Sequence, residues 1–241
     1  MAGMDRLAGK IAVVTGGTRG IGRAIAERLL RAGVSVAICG RKADSVARVA
    51  EEMKSLGRVF GQAADVTDFA QVRKFFQAVA GEFGHLDILV NNAGEGVFRK
   101  VGEMTPEEWR RNIDLNLNGP FYCAHQALSL FGTRGGFIVN ISSLAAKNAF
   151  TGGAGYNASK AGVNKFTEAL MLDHRHDRVR VCSIMPGSVD TSFGGDSPTR
   201  AGDTSWMIAP DDVAEVVATV LSMPERTMIS AVEMRPSRPK K

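Results

Sequence analysis

The sequence predicts an α/β fold: seven mostly parallel strands in one doubly wound sheet, with helices on both faces. Three observations carry this. Short apolar, β-branched runs alternate along the chain with longer segments of helical period. Strand candidates such as Ile11-Ala-Val-Val14 and Ile88-Leu-Val90 are apolar on both faces, as strands covered by helices on two sides should be. A glycine-rich turn joins the first strand directly to the first helix, as the opening of a βαβ unit requires. The chain has 241 residues, 44% hydrophobic and 23% charged, which suits one large domain with a substantial core. No repeat or interdomain linker interrupts the pattern.

From the N-terminus, a strand over 10–15 runs into Thr15-Gly16-Gly17-Thr18-Arg19-Gly20-Ile21-Gly22, with a helix over 20–32. Glycines let the chain turn tightly and let phosphate oxygens approach the backbone, while the helix N-terminus offers unpaired N–H groups and positive potential. The spacing Gly16-x-x-x-Gly20-x-Gly22 departs from the commoner Gly-x-Gly-x-x-Gly, yet its place between a first strand and a first helix points to dinucleotide binding. No Gly-Lys-Ser/Thr follows, which excludes a P-loop. The second strand, 34–39, ends in Gly40-Arg41-Lys42 before a helix over 43–56. An NAD enzyme usually offers Asp or Glu to the ribose hydroxyls about 20 residues past the fingerprint. Here two cations stand in that place, and Asp44 lies further on, within the helix. Arg41 and Arg19 suit charge-assisted bonds to a 2′-phosphate, the alternative being two surface arginines. NADP(H) over NAD(H) is the expected cofactor.

The third strand, 58–64, closes on Asp65-Val66 before a helix over 68–83. Asp65 can accept a hydrogen bond from an adenine amino group or cap that helix, and the residues leave both open. The fourth strand, 86–90, ends in Asn91-Asn92-Ala93-Gly94, at a carboxyl end where open α/β sheets bind ligands; a structural turn explains that tetrad nearly as well. A helix over 106–131 and a strand over 136–142 lead to a helix over 156–175. In it Tyr156 and Lys160 stand one turn apart, with phenol and ammonium on the same face. A nearby cation favours phenolate and lowers a pKa that starts near ~10, making Tyr156 a candidate proton donor or acceptor. The plainer alternative is a buried aromatic beside a solvated lysine. A strand over 179–185 gives way to 187–209, an irregular stretch rich in Gly, Ser, Asp, Thr and Pro that suggests a lid over a site. A helix over 210–222 and a strand over 228–234 complete the alternation.

The remaining features exclude several classes. The net charge of +5 is mild, and its clearest cluster is the tail from Arg235 to Lys241. No aromatic residue is interleaved there, so a solvated tail is expected rather than a nucleic-acid arm. Cys39, Cys123 and Cys182 are odd in number and far apart, which fits buried thiols in a reducing compartment and neither a disulfide framework nor a zinc site. His174 and His176, two apart on the predicted helix, point away from each other, and no metal is expected. No apolar run reaches the ~18 residues that cross a bilayer. The start Met1-Ala-Gly-Met-Asp-Arg6 lacks a signal pattern, and Met1-Ala2 excludes a myristoylation start. A cytoplasmic location is therefore expected, with no membrane or nucleic-acid partner.

Seven motifs, in order, resemble the short-chain dehydrogenase/reductase family over about residues 8 to 222. They are the Thr15-to-Gly22 turn, Asp65-Val66, Asn91-to-Gly94, Asn116 in Asn116-Leu-Asn-Gly119, Ser143 in Asn140-Ile-Ser-Ser143, Tyr156-x-x-x-Lys160, and Pro186-Gly187 followed by Thr191. The resemblance implies a single Rossmann-like NADP-binding domain over 1–241, with 187–209 as substrate loop and 235–241 as basic tail. It implies Tyr156 as general acid/base, Lys160 as its pKa-lowering neighbour and a ligand of the nicotinamide ribose, and Ser143 as the hydrogen-bonding partner of the substrate oxygen. Asn116 would hold a water in a proton relay to Lys160. Ser143 is preferred to Ser142 because it lies thirteen residues before Tyr156, the family's usual separation, and Asn116 is preferred to Asn118. The cofactor would meet Gly16, Thr18, Arg19, Gly20, Ile21, Gly22, Arg41, Lys42, Asp65, Val66, Asn92, Ala93, Gly94, Tyr156, Lys160, Pro186, Gly187, Val189 and Thr191.

The activity implied is hydride transfer between NADP(H) and a small-molecule carbonyl or secondary alcohol, such as a 3-oxoacyl compound or another ketone. The alternatives are an NAD-preferring alcohol dehydrogenase and a non-catalytic NADP-sensing scaffold. Candidate pocket residues are Glu95, Val97, Phe98, Leu144, Phe150, Met185, Ser188 and Phe193, with Arg99 and Arg200 within reach if their loops fold inward. A homodimer or homotetramer is implied through helices 106–131 and 156–175. The Pro-rich basic finish departs from the Asp-Gly-Gly-like segment that packs between subunits in the family.

Overall fold

The computed structural model describes residues 6–193 and 203–239. Its sheet has seven strands: β1 (Ile11–Thr15), β2 (Ser35–Gly40), β3 (Val59–Ala63), β4 (Ile88–Asn91), β5 (Gly136–Ile141), β6 (Val179–Pro186) and β7 (Ala231–Met234). The spatial order is β3-β2-β1-β4-β5-β6-β7, and each pairing is parallel. The helices are α1 (Gly20–Arg31), α2 (Ala43–Met53), α3 (Phe69–Phe83), α4 (Pro106–Ile113), α5 (Gly119–Phe131), α6 (Ala154–His174) and α7 (Pro210–Leu221).

Strand pleating sorts successive side chains into two cores. Ala12 and Val14 of β1, with Val36 and Ile38 of β2, meet Ile25, Leu29 and Leu30 of α1 and Val213 and Val217 of α7. Ile11 and Val13, with Ala37 and Cys39, meet Phe75 and Phe76 of α3 and Cys123 and Ala127 of α5 on the opposite side. The runs read as apolar at every position are thus buried on both faces. All three cysteines are free thiols in these cores, and burial pushes Cys39 and Cys182 up to about 12.

Element ends differ from the sequence expectation by a residue or more throughout, and three differences bear on the site or the sheet edge. The helix expected over 106–131 is broken into α4, one π-helical turn over Asp114–Asn118, and α5. Pro120 explains the break: it has no N–H for the Asn116 carbonyl four residues back, and its ring would clash with that carbonyl in a regular turn. The Gly119 N–H bonds the Asp114 carbonyl, five residues back, instead. The helix begins cleanly at Thr105, whose hydroxyl accepts from the Glu108 N–H while Glu108 accepts from the Thr105 N–H. The second difference is α6, which starts two residues earlier than expected, at Ala154. The third is β7, confined to Ala231–Met234, half of it exposed at the sheet's edge.

The strand order reverses between β1 and β4, one strand leading to each side, so their following loops diverge and leave a crevice at the carboxyl ends. Beneath it, Asn91 Nδ2 donates to Asn140 Oδ1 at 2.9 Å, and Asn140 Nδ2 donates to Thr167 Oγ1 at 2.8 Å. This buried polar chain ties β4 and β5 to α6, the helix that carries Tyr156 and Lys160.

Candidate active site

The crevice is a cleft of about 570 Å³, within the usual range for small-molecule sites of about 300–1,000 Å³. Its floor at one end is the glycine turn. Gly16 has φ +65°, and a Cβ there would stand 3.0 Å from Ala93 Cα and 3.1 Å from Asn92 Nδ2. Gly22 lies behind the wall: a Cβ on it would sit 2.3 Å from Asn92 Nδ2 and 2.4 Å from the Gly16 carbonyl oxygen. Gly22 therefore serves close packing and does not line the cleft. The turns after β1 and β4 are stitched together. Thr15 Oγ1 accepts from the Asn92 and Ala93 N–H groups, each at 3.0 Å, and Asn92 Nδ2 donates to the Thr15 carbonyl at 3.0 Å.

The N-terminus of α1 opens onto this floor with no side-chain cap and no acid in its first turn, unlike α3, which Asp68 caps, and α4. An uncapped helix start facing a glycine-lined cleft suits an anion such as a pyrophosphate. Asp65 is not the cap of α3. Its Oδ1 accepts from the Thr67 N–H and hydroxyl, and the residue lines the cleft beside Val66. Of the two roles open to Asp65, the cap is eliminated. Arg19, Arg41 and Lys42 also line this end; Arg19 Nη1 donates to Ser192 Oγ at 2.9 Å, and Arg41 forms an ion pair with Glu95 at 3.8 Å.

At the other end stand Ser143, Tyr156 and Lys160, with Asn92, Ala93, Gly94, Pro186, Gly187, Val189 and Thr191 between. The elements fix them. Ser143 follows β5 and accepts from the Ala145 N–H at 3.1 Å, which starts a short 3₁₀ turn over Leu144–Ala146. Tyr156 and Lys160 lie on the buried face of α6, 8% and 4% exposed. Ser142 lines the cleft too, but its hydroxyl is spent on the Lys160 carbonyl, to which it donates at 3.3 Å. Asn116 projects from the π turn and is spent on Glu95, accepting from its N–H at 3.1 Å and donating to its carbonyl at 2.8 Å. A Cβ on Gly94 would lie 2.8 Å from Asn116 Oδ1 and 3.6 Å from Lys160 Nζ, which places those two side chains around one glycine. Asn118 is turned to Asp114 at 2.7 Å.

The expected electrostatics of the Tyr–Lys pair need correction. Burial pushes the Tyr156 phenol up to about 12, and the Ser143 side chain pulls it back only in part. Lys160 Nζ is 5.8 Å from the Tyr156 ring centroid and donates to the Ile141 carbonyl at 2.9 Å. Burial lowers its own pKa to about 8, because the same dry surroundings penalise the ammonium. Desolvation outweighs the Ser143 contact, so the phenol is held protonated at neutral pH.

Of the candidate pocket residues, Glu95 and Phe193 line the cleft. Phe98 and Phe193 each place a ring centroid 5.6 Å from that of Tyr156, and Phe150 packs tilted against Phe98 at 5.6 Å. Leu144, Met185 and Ser188 sit around Gly187: Leu144 Cδ1 would be 3.2 Å from a Cβ there, Met185 Sδ accepts from Asn164, and the Ser188 carbonyl accepts from the Ile208 N–H. Val97 is held through its backbone by Asn112. Arg99 is turned aside, with Nη1 on the Phe98 carbonyl at 3.0 Å and an ion pair to Glu108 at 3.7 Å. Arg200, most of the middle of 187–209 and the last two lysines of the tail lie outside the described residues. Ser45, Leu115 and Ser192 line the cleft and were not singled out by sequence, and Thr15, read only as the start of the glycine motif, braces it from beneath. Thr15 opens the glycine motif, but its bonds to the β4 turn are long-range, and nothing local marks the other three.

Among the described residues no cluster of three or more His, Cys, Asp or Glu could hold a metal ion, and no helix is long and apolar enough to cross a membrane. His174 is paired with Asp177 at 2.9 Å.

Comparison with known proteins agrees with this geometry. An uncharacterised oxidoreductase of Staphylococcus saprophyticus is 34% identical over 240 residues, covering 97% of this chain and 100% of that protein. The alcohol dehydrogenase of the archaeon Thermococcus sibiricus, solved with 5-hydroxy-NADP, superposes with a TM-score of 0.89 at 31% identity, covering 96% of this chain and 99% of that one. A 7α-hydroxysteroid dehydrogenase solved with NADH and 7-oxo glycochenodeoxycholic acid gives a TM-score of 0.89 at 25% identity, covering 98% and 97%. The family model for short chain dehydrogenases matches residues 10–201, and with that match over most of its length the chain belongs to the short-chain dehydrogenase/reductase family of oxidoreductases.

Proposed function

We propose that the protein transfers hydride between NADP(H) and an apolar carbonyl or secondary alcohol, with Tyr156 as proton donor or acceptor. One observation carries the reading. Ser143, Tyr156 and Lys160 gather at one end of a single cleft whose other end holds the glycine turn with Arg19, Arg41 and Lys42. When bound, the nicotinamide supplies the hydride chemistry. The rest falls to side chains and backbone. The N–H groups of the turn from Gly16 to Ile21, Thr18 among them, hold the pyrophosphate. Arg19, Arg41 and Lys42 meet the 2′-phosphate, and Asp65 and Val66 meet the adenine. Asn92 to Gly94 and Pro186, Gly187, Val189 and Thr191 flank the nicotinamide end, with Lys160 on the ribose.

In reduction, negative charge grows on the carbonyl oxygen; the Ser143 hydroxyl donates to it and Tyr156 gives it a proton. A phenol kept protonated by burial is ready for that direction at neutral pH, whereas oxidation needs the phenolate and gains from alkaline pH. Because the Asn116 side chain is spent on Glu95, its share of a proton relay falls to the backbone carbonyl that Pro120 cannot bond. Phe98, Phe150 and Phe193 around Tyr156, with Arg99 turned aside, support an apolar substrate rather than a carboxylate. Self-association through α5 and α6 is part of this proposal: Phe121 is 49% exposed and packs edge-on against Phe166.

The test is NADPH and NADH consumption across a panel of apolar ketones, with Tyr156→Phe alongside. The expected result is NADPH-linked reduction that falls about 10²–10⁴-fold in the variant, with NADPH affinity kept within a few-fold. Undiminished turnover by Tyr156→Phe refutes the assignment.

A further inference from the structure

Glu95, the residue after the Asn91-to-Gly94 tetrad, reaches across the cleft. Its backbone is clamped on both sides by the Asn116 amide, at 3.1 and 2.8 Å, so its Cα has little freedom. From that fixed base its carboxylate, 20% exposed, extends to the opposite wall and stands 3.8 Å from Arg41 Nη2. A second guanidinium, Arg111 of α4, holds the carboxylate from the other side: its Nη2 donates to Oε2, the oxygen facing Arg41, at 3.0 Å, and its Nε pairs with Oε1. Glu95 and Arg41 also line a neighbouring hollow of about 390 Å³ that shares Asp65 and Leu115 with the main cleft. One carboxylate thus lies between the cation that follows β2 and the helix that leads to Asn116.

We propose that Glu95 is a specificity-determining residue for the cofactor: it holds Arg41 from the far wall and so opposes the phosphate that distinguishes NADP(H) from NAD(H). This rests on the reading that the cleft takes a nicotinamide dinucleotide with Arg41 at its 2′-phosphate. A phosphate arriving at Arg41 meets the carboxylate twice over, as a rival for the guanidinium and as a like charge nearby. NAD(H) has a hydroxyl there and meets neither. Glu95 therefore narrows the preference for NADP(H) that Arg19, Arg41 and Lys42 create. Arg41 is 57% exposed, so water screens the pair and the effect is modest.

The experiment measures binding, without turnover. Wild type, Glu95→Gln, Arg41→Ala and the double variant are titrated with NADPH and NADH by fluorescence, and with 2′,5′-ADP and 5′-AMP by calorimetry. Glutamine keeps the shape and the backbone clamp, and unchanged NADH binding reports an intact fold. Glu95→Gln is expected to bind NADPH and 2′,5′-ADP about fivefold tighter, about 1 kcal/mol, the size of one screened charge pair at 4 Å in water. NADH and 5′-AMP stay within twofold, and the gain vanishes when Arg41 is absent. Weaker or unchanged NADPH binding in Glu95→Gln, an equal gain for NADH, or a gain that survives Arg41→Ala overturns the inference and leaves the proposed reaction standing. A wild type that binds NADH but neither NADPH nor 2′,5′-ADP overturns the inference together with the cofactor assignment.

Discussion

Tyr156 and Lys160 share one dry environment, and it acts on them in opposite senses. The phenol is pushed from its ordinary value of 10 up to about 12, while the amine is pushed from 10.5 down to about 8. For the lysine, the unfolded chain keeps a proton between pH 8 and 10.5 that the folded one has released, so stability rises with pH through that window. For the tyrosine, the unfolded chain loses its proton first, so the stabilisation present below pH 10 is lost as pH climbs toward 12. Urea titrations of wild type and Lys160→Met at pH 7 and pH 9.5 test the first statement. The stability difference should move in favour of wild type at the higher pH; a difference that does not change with pH argues against a buried ammonium. None of this was legible from the Tyr-x-x-x-Lys spacing, which reports that the groups share a face but not how dry that face is. The dryness comes from burial under side chains such as Phe98 and Phe193, far away in sequence.

At the scale of elements, the glycine turn and the π turn make instructive opposites. Position and composition announced the first: a strand, a run of glycines and a helix, with the structure adding why Gly16 and Gly22 are there. At Gly22 an alanine would drive its methyl into Asn92 Nδ2 and the Gly16 carbonyl. Gly22→Ala is expected to cost about 1–3 kcal/mol by overpacking and to weaken nucleotide binding, because both contacts belong to the cradle. Thermal melting with an NADPH titration checks both effects, and a variant as stable as wild type shows that the loop can yield. The π turn was not legible, since nothing in Asp114 to Asn118 separates a π turn from an α turn and only Pro120 hinted otherwise. A proline in the first turn of a helix is ordinary, so its effect on the carbonyl four residues back emerges only once α4 and α5 are seen as one interrupted rod.

For the whole molecule, the alternation of strand and helix was enough to predict a sheet covered on both sides. Every strand expected is present, because parallel strands buried on two faces leave long apolar runs. What periodicity does not report is contact across the crevice: Thr15 with Asn92 and Ala93, Arg41 with Glu95, Ser192 with Arg19. Thr15→Val keeps the shape and removes the acceptor shared by two N–H groups. It should cost about 1–3 kcal/mol and speed amide hydrogen exchange in the turns after β1 and β4 together. Faster exchange in only one of them argues that the stitch is incidental. That stitch has a mechanical corollary. A body riveted across the line where its two wings part has no hinge at its deepest point. Whatever give the cleft has is left to its rim, where Glu95 and Phe193 stand over a keel that stays still.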